Sequence, residues 1–359
     1  MKTRLLIAGP MLGLIALAAA VFLMQPSQAG RPGRETGLGT AAPSGPGATP
    51  AVRGTAPVIP VPPRATGPVH APGGCAAVPH ACGFPDATST GVPRSLPLRR
   101  VPGQVSSGPG WRYDPRGWVQ VYGNGAVLKG LRISCDVNVA AANVTITDDQ
   151  IMVTGDSFGV SLRHAHDATI EYSDIYSPHA GRGRLMVAVK DIFGNSTGTR
   201  VIGDNIWHAA TGVQLESGLV ADSYIHAPGY QPGDHVNGIT SNGGRKGTLV
   251  IKHNTILINH DQTDAIGLFE DFGIQANRDI VDNLLGGGGY TIYGGQKSGG
   301  LPTHNIHISG NQITRIFYPG GGYYGQITAF NPGGPGNTWS ENVWSGDAAG
   351  RAAGTIPLP

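Results

Sequence analysis

Three scarcities narrow what this 359-residue chain can be. Charge of one sign is missing: 25 lysines and arginines stand against 23 aspartates and glutamates. No basic cluster breaks that balance, which excludes a nucleic-acid surface. Cysteine is nearly missing, with only Cys75, Cys82 and Cys135 present. Their spacing matches no zinc site. In an exported chain a disulfide is expected, either Cys75 with Cys82 or Cys82 with Cys135, and one thiol is left over. Aromatic residues are missing altogether from residues 25–74, where Pro, Gly, Ala and Thr dominate. Such a stretch buries too little apolar surface to offset its ordering entropy, so residues 30–74 are expected to be a mobile tether.

Ahead of the tether, Lys2 and Arg4 precede an apolar run from Leu5 to Met24, and Ser27-Gln28-Ala29 supplies small residues for cleavage. Residues 1–29 therefore read as an export signal. The run approaches the roughly 20 residues that span a bilayer, so an uncleaved anchor is the competing expectation. Either way the folded part, residues 75–359, is placed outside the cell, free or held at its surface.

What the chain does contain is one phrase, repeated eight times. An apolar residue is answered five positions later by another: Ile146 by Ile151, Ile170 by Ile175, Val201 by Ile206, Val220 by Ile225, Ile251 by Ile256, Ile280 by Leu285, Ile308 by Ile313 and Trp339 by Trp344. Two positions before each closing residue stands a turn former: Asp149, Ser173, Asp204, Ser223, Asn254, Asn283, Asn311 or Asn342. Asn, Asp and Ser take the left-handed conformation or bond the local backbone, so each copy reads as strand, tight turn, strand.

A third apolar stretch follows most copies, as in Gly159-Val160-Ser161-Leu162 and Ala265-Ile266-Gly267-Leu268. Three strands per copy make one turn of a coil, and the 57 glycines suit its many bends. The predicted fold is all-β, a right-handed parallel β-helix with the Asn and Asp turns stacked as a ladder. Open ends of such a coil expose unpaired strand edges. Residues 83–117 are expected to cap the first end, with Trp111, Tyr113 and Trp118 as cap core, and Trp339 and Trp344 to plug the other. Leu128 and Ile133 are read as a degenerate first rung.

Three runs carry a resemblance: Gly83 to Pro93 (GFPDATSTGVP), Val139 to Ile146 (VAAANVTI) and Asp282 to Gly295 (DNLLGGGGYTIYGG). They are similar to secreted actinobacterial right-handed β-helix repeat proteins of the pectate-lyase-like superfamily. The resemblance implies the fold and a carbohydrate setting, since that superfamily includes lyases, hydrolases and non-catalytic adhesins. His235-Val236-Asn237-Gly238-Ile239 is similar to a His-x-Asp-Gly-Ile motif of related sequences, with Asn237 in the Asp position. The Asp-Asp, Gly-His-Gly and Arg-x-Lys set of polygalacturonases is not found.

The variable loops gather around the third strand, which directs attention to its outer face. Alternation with the inward residues turns Ser161, Arg163, Lys190, Gln214, Glu216 and Thr240 outward, followed by Asn242, Phe269, Tyr293, Thr328 and Phe330. Rings that stack on pyranose faces, with polar groups for hydroxyls and carboxylates, suit an extracellular polysaccharide. For β-elimination from an acidic polymer, Lys190, His235 and Tyr293 are the candidate base and acid groups. Asp234 orients His235, and Arg163 or Arg184 clamps the carboxylate. Gln214, Asn242, Phe269 and Phe330 would line the track. Hydrolysis would pair Glu216 with Asp264 or Asp234. Lyase chemistry is favoured over hydrolysis, and the alternative is a non-catalytic glycan-binding coil, adhesin or spacer. Asp261, Asp264, Glu270 and Asp271 are the candidate Ca²⁺ ligands, although they match no EF-hand spacing. A monomer is expected.

Overall fold

The computed structural model describes residues 74–244, 247–346 and 353–358. The segments expected to be an export signal and a tether lie, apart from Gly74, outside the described residues. The rest is a parallel β-solenoid of about nine turns, built from three sheets of nine, eleven and eleven strands. The only described helical element is a short 3-10 turn, Pro79–Cys82.

The first sheet carries the opening residue of each phrase in unbroken register: Leu128, Ile146, Ile170, Val201, Val220, Ile251, Ile280, Ile308 and Trp339 lie opposite one another in turn. The second sheet does the same for the closing residues, from Ile133 and Ile151 through Ile175, Ile206, Ile225, Ile256, Leu285 and Ile313 to Trp344. The aliphatic members of both rows are buried in one continuous core. Each such side chain removed from water contributes about 1.5–3 kcal/mol, so the rows drive the coiling. Leu128 and Ile133 do form a first rung. The third sheet begins earlier than the repeat suggested, because Val119 and Val137 already stand in register with Val160.

Where the chain turns from the first sheet to the second, the expected ladder is present, and all eight of its side chains are fully buried. The left-handed residue falls one position before each of them, at Asp148, Tyr172, Gly203, Asp222, His253, Asp282, Gly310 and Glu341. The ladder residues are therefore free to bond along the coil. Asn254, Asn283 and Asn311 each accept at Oδ1 the backbone N–H one rung below, at 2.9–3.0 Å, and Asn342 does so for Asn311 at 3.1 Å. Their Nδ2 groups donate to Val220, Ile251, Ile280 and Ile308 carbonyls at 2.8–2.9 Å.

The third sheet needs small residues at its inner corner. A Cβ on Gly159, Gly212 or Gly238 would lie within 2.5 Å of the next rung's carbonyl and within 2.8 Å of an Ile methyl from the second sheet.

The segment expected to cap the coil divides in two. Residues 99–121 pair onto sheet ends: Arg99–Val101 joins the second sheet, and Ser107–Gly108, Trp111–Asp114 and Trp118–Val121 form an antiparallel extension of the third. Trp111 is buried there and Tyr113 packs on the core. Residues 75–93 do something else, which corrects the expectation. They run beside the middle of the second sheet, where Gly91 N–H bonds Gly203 O at 2.8 Å and His253 Nε2 meets Gly83 O at 2.7 Å. Phe84 stacks on His253 and packs with Cys75 and Leu284. The disulfide joins Cys75 to Cys82 and leaves Cys135 free. Burial pushes the Cys135 thiol up to about 11. At the other end Gly354–Thr355 pairs antiparallel with Val343–Trp344, and Trp339 Nε1 donates to Ile356 O at 3.1 Å.

Candidate functional site

The third sheet presents one outward row in register across nine strands: Gln120, Asn138, Ser161, Lys190, Gln214, Thr240, Gly267, Tyr293 and Thr328. Adjacent strands lie about 4.8 Å apart, so the row follows the coil axis, with Ser161 and Thr240 buried within it and Gln120, Asn138, Lys190, Gln214, Tyr293 and Thr328 half-buried. Lys190 and Tyr293 are both on it, as expected. Four strand steps separate them, roughly 19 Å, too far to act on one glycosidic bond.

The cations on this face are already engaged. Lys190 Nζ bonds Gln214 Oε1 and lies 5.5 Å from the Phe158 ring centroid. Burial pulls its pKa down, with Asp191 and Glu216 opposing. Arg163 Nε donates to Asn138 Oδ1 at 3.0 Å. Arg184 is not a substrate clamp: it is only 2% exposed and is gripped by Asp156 at 2.6 Å and by both oxygens of Asp234. The Asp234 hydrogen bond raises the Arg184 pKa most. Asp234 is thereby committed to Arg184 and to the Gln231 N–H, and it does not orient His235. His235 is exposed and reaches only Thr263 Oγ1, at 3.5 Å.

Glu216 is also corrected. The third-sheet strand ends at Gln214, so alternation stops there and Glu216 folds into the turn. It is buried, accepting Ser241 Oγ at 2.8 Å and the N–H groups of Asn242 and Gly243 at 2.8 and 3.0 Å. Beside it lies Arg278, fully buried and unforeseen, bonded to Gln275 Oε1 at 2.8 Å and Ala276 O at 2.7 Å. This network stiffens the passage from third sheet to first. It leaves neither hydrolase pair standing, since Glu216 and Asp234 are both bound internally.

The proposed Ca²⁺ ligands do not converge. Among the described residues no group of three or more His, Cys, Asp or Glu side chains is placed to hold a metal. Asp261 lies 3.4 Å from His260, Glu270 accepts Lys297 N–H at 3.2 Å, and Asp271 is exposed.

Asp264 behaves unlike the other three. It is fully buried, both carboxyl oxygens lack a hydrogen-bond partner, and burial alone raises its pKa well above the usual carboxylate range. Its Oδ2 lies 2.5 Å from where a Cβ on Gly267 would be, and the Phe269 ring edge is 2.6 Å from the same point. The one gap in the outward row is therefore filled by the Asp264 carboxyl and the edge of the Phe269 ring. Tyr293 packs 5.5 Å from Phe269, Tyr290 5.6 Å from Tyr293, and Tyr324 5.7 Å from Tyr290. Burial and then Asp264 raise the Tyr293 phenol's pKa, which weakens it as a base at neutral pH. Sequence reading found Phe269 and Tyr293 but missed Tyr290 and Tyr324, because Tyr324 comes from a loop outside the repeat. Phe330 turns from the row to face Trp339 at 6.2 Å, and Asn242 serves Glu216 through its backbone.

Comparison of the chain with protein-family models, with curated proteins and with solved structures finds no match.

Proposed function

We propose that this is a secreted, right-handed β-helix protein of pectate-lyase-like type that holds an extended extracellular polysaccharide along the outer face of its third sheet. One observation carries the reading: the in-register row from Gln120 to Thr328 grades from amides and hydroxyls to the rings around Tyr293. The half-buried amides of Gln120, Asn138 and Gln214 take sugar hydroxyls, and rings cover pyranose faces, so a chain lying along the axis meets both. Holding is favoured over cleaving because Glu216, Asp234 and Arg184 are consumed in internal contacts. The same engagement removes the groups that would select a uronate.

Cleavage is the second reading, supported by the desolvated amine of Lys190, whose lowered pKa suits a base. A polysaccharide panel separates the two. Retention of one polymer without product is the expected result, and unsaturated products detected by ultraviolet absorbance would install elimination in its place. A parallel arm with chelator tests for a metal. Failure to retain any polymer, with the coil intact by circular dichroism, would end the glycan reading.

A further inference from the structure

The niche at Asp264 holds more acceptors than donors: Asn237 Oδ1, Thr240 Oγ1 and both Asp264 oxygens can accept, while only the Thr240 hydroxyl and a protonated Asp264 can donate. Asp264 stands in register with Asn237 on the neighbouring strand, and Gly267 with Thr240. Asn237 directs Nδ2 at Thr211 Oγ1, 3.1 Å away on its other side, which leaves Oδ1 unpaired. Thr240 Oγ1 and both Asp264 oxygens are likewise buried and unpaired. Burying such atoms without partners is costly, and a ligand supplying donors would relieve that cost. A carboxylate or phosphate would set acceptor against acceptor at Asn237 Oδ1. An ammonium group brings three donors and no acceptor, and aromatic walls attract it through their π faces. Tyr293, in register with Gly267, supplies such a wall, and Tyr324, 67% exposed, extends it through Tyr290 to the surface.

Resting on the glycan reading above, we infer that the Asp264 niche is a subsite for an amino-sugar unit, its ammonium group held by Asp264 and Asn237 with the Phe269 ring turned aside. Burial favours the protonated form of Asp264 before binding. On pairing with an amine already protonated in solution, the Asp264 O–H bond breaks, the proton passes to solvent and the carboxylate meets the ammonium ion, so one proton leaves per ligand below the amine's own pKa. The other ionisable groups on the surrounding elements are Tyr290 and Tyr293 on the next strand, Tyr324 on the loop beyond it, His260 and Asp261 on the loop before Asp264, and His235 on the loop before Asn237.

The test measures binding of β-1,4-linked glucosamine oligosaccharides by calorimetry against N-acetylated and galacturonate oligosaccharides of equal length, with polylysine as a fourth ligand. The expected result is a preference for the glucosamine chain of about ten-fold or more. Buffers of differing ionisation enthalpy should reveal the released proton. Asp264→Asn, which keeps shape and burial, should abolish both preference and proton release. Gly267→Ala should do the same by filling the niche. Equal binding of N-acetylated and free chains, or an unaltered preference in Asp264→Asn, overturns the subsite but leaves the glycan track standing. Polylysine binding as tightly as the oligosaccharide through Asp264 overturns the sugar assignment. Binding of no saccharide removes the track and the subsite together.

Discussion

The two halves of the buried ladder perform one task with different chemistry. From Asn254 to Asn342 every rung is an amide, which accepts a backbone N–H and donates to a carbonyl, so all of its hydrogen-bonding atoms are used. From Asp149 to Ser223 the rungs alternate Asp and Ser. Each Asp accepts one N–H, Leu131 N at 2.7 Å for Asp149 and Ser173 N at 2.7 Å for Asp204, but leaves Oδ2 unpaired. Burial pushes Asp149 up to about 8 and Asp204 well above the carboxylate range. An amide ladder is indifferent to pH, whereas a carboxyl ladder is complete only while protonated.

The sharpest way to break this contrast is Asn283→Leu. It removes the acceptor for Asn254 N–H and Nδ2 and the donor to Ile251 O and to Asn311 Oδ1, so urea unfolding should show a loss of about 3–5 kcal/mol. Asp204→Asn should act oppositely, making the two halves alike. The folded state keeps its proton at pH values where the unfolded chain, near 3.8, has lost it. Wild-type stability therefore falls as pH rises from about 4 and levels only above the folded values, about 8 for Asp149. Asp204→Asn should gain about 1–2 kcal/mol at pH 8, gain little at pH 4, and flatten that slope. Unfolding curves across this range check it, and an unchanged slope would mean the carboxyl halves are not the pH-sensitive ones. The smallest effect is expected for Ser223→Ala. It loses one acceptor for Asp204 N–H and one donation to Ala221 O, about 1 kcal/mol by thermal unfolding.

Much of the coil was legible because its information is local. The five-position step from Ile280 to Leu285 encloses a turn whose geometry permits one spacing, and every rung repeats it. The ladder was legible for the same reason, down to the residue. Loops broke the reading. Glu216 was assigned outward because alternation was carried past Gln214, where the strand had ended. Arg184 looked like a free cation because its partner Asp234 is 50 residues away in sequence. Asp261, Asp264, Glu270 and Asp271 looked like a cation site because letters close in sequence were taken as close in space. A strand instead carries Asp264 to the outer face beneath Phe269, away from the loop acids. The strap of residues 75–93 left no signal at all, since its register is set by partners such as His253, 170 residues from Gly83.

That strap decides where tension would act. A pull on the chain ahead of Cys75 meets the solenoid first where Phe84 stacks on His253 and packs with Leu284, not at the first rung. The load would run across several strands of the second sheet at once, through Gly91 on Gly203, before it could peel Arg99–Val101 from its edge. Hydrogen bonds loaded in parallel yield together, whereas those at a frayed edge yield singly. The disulfide between Cys75 and Cys82 closes the loop at the outer end of this grip, so the mooring point keeps its shape when the chain is drawn taut.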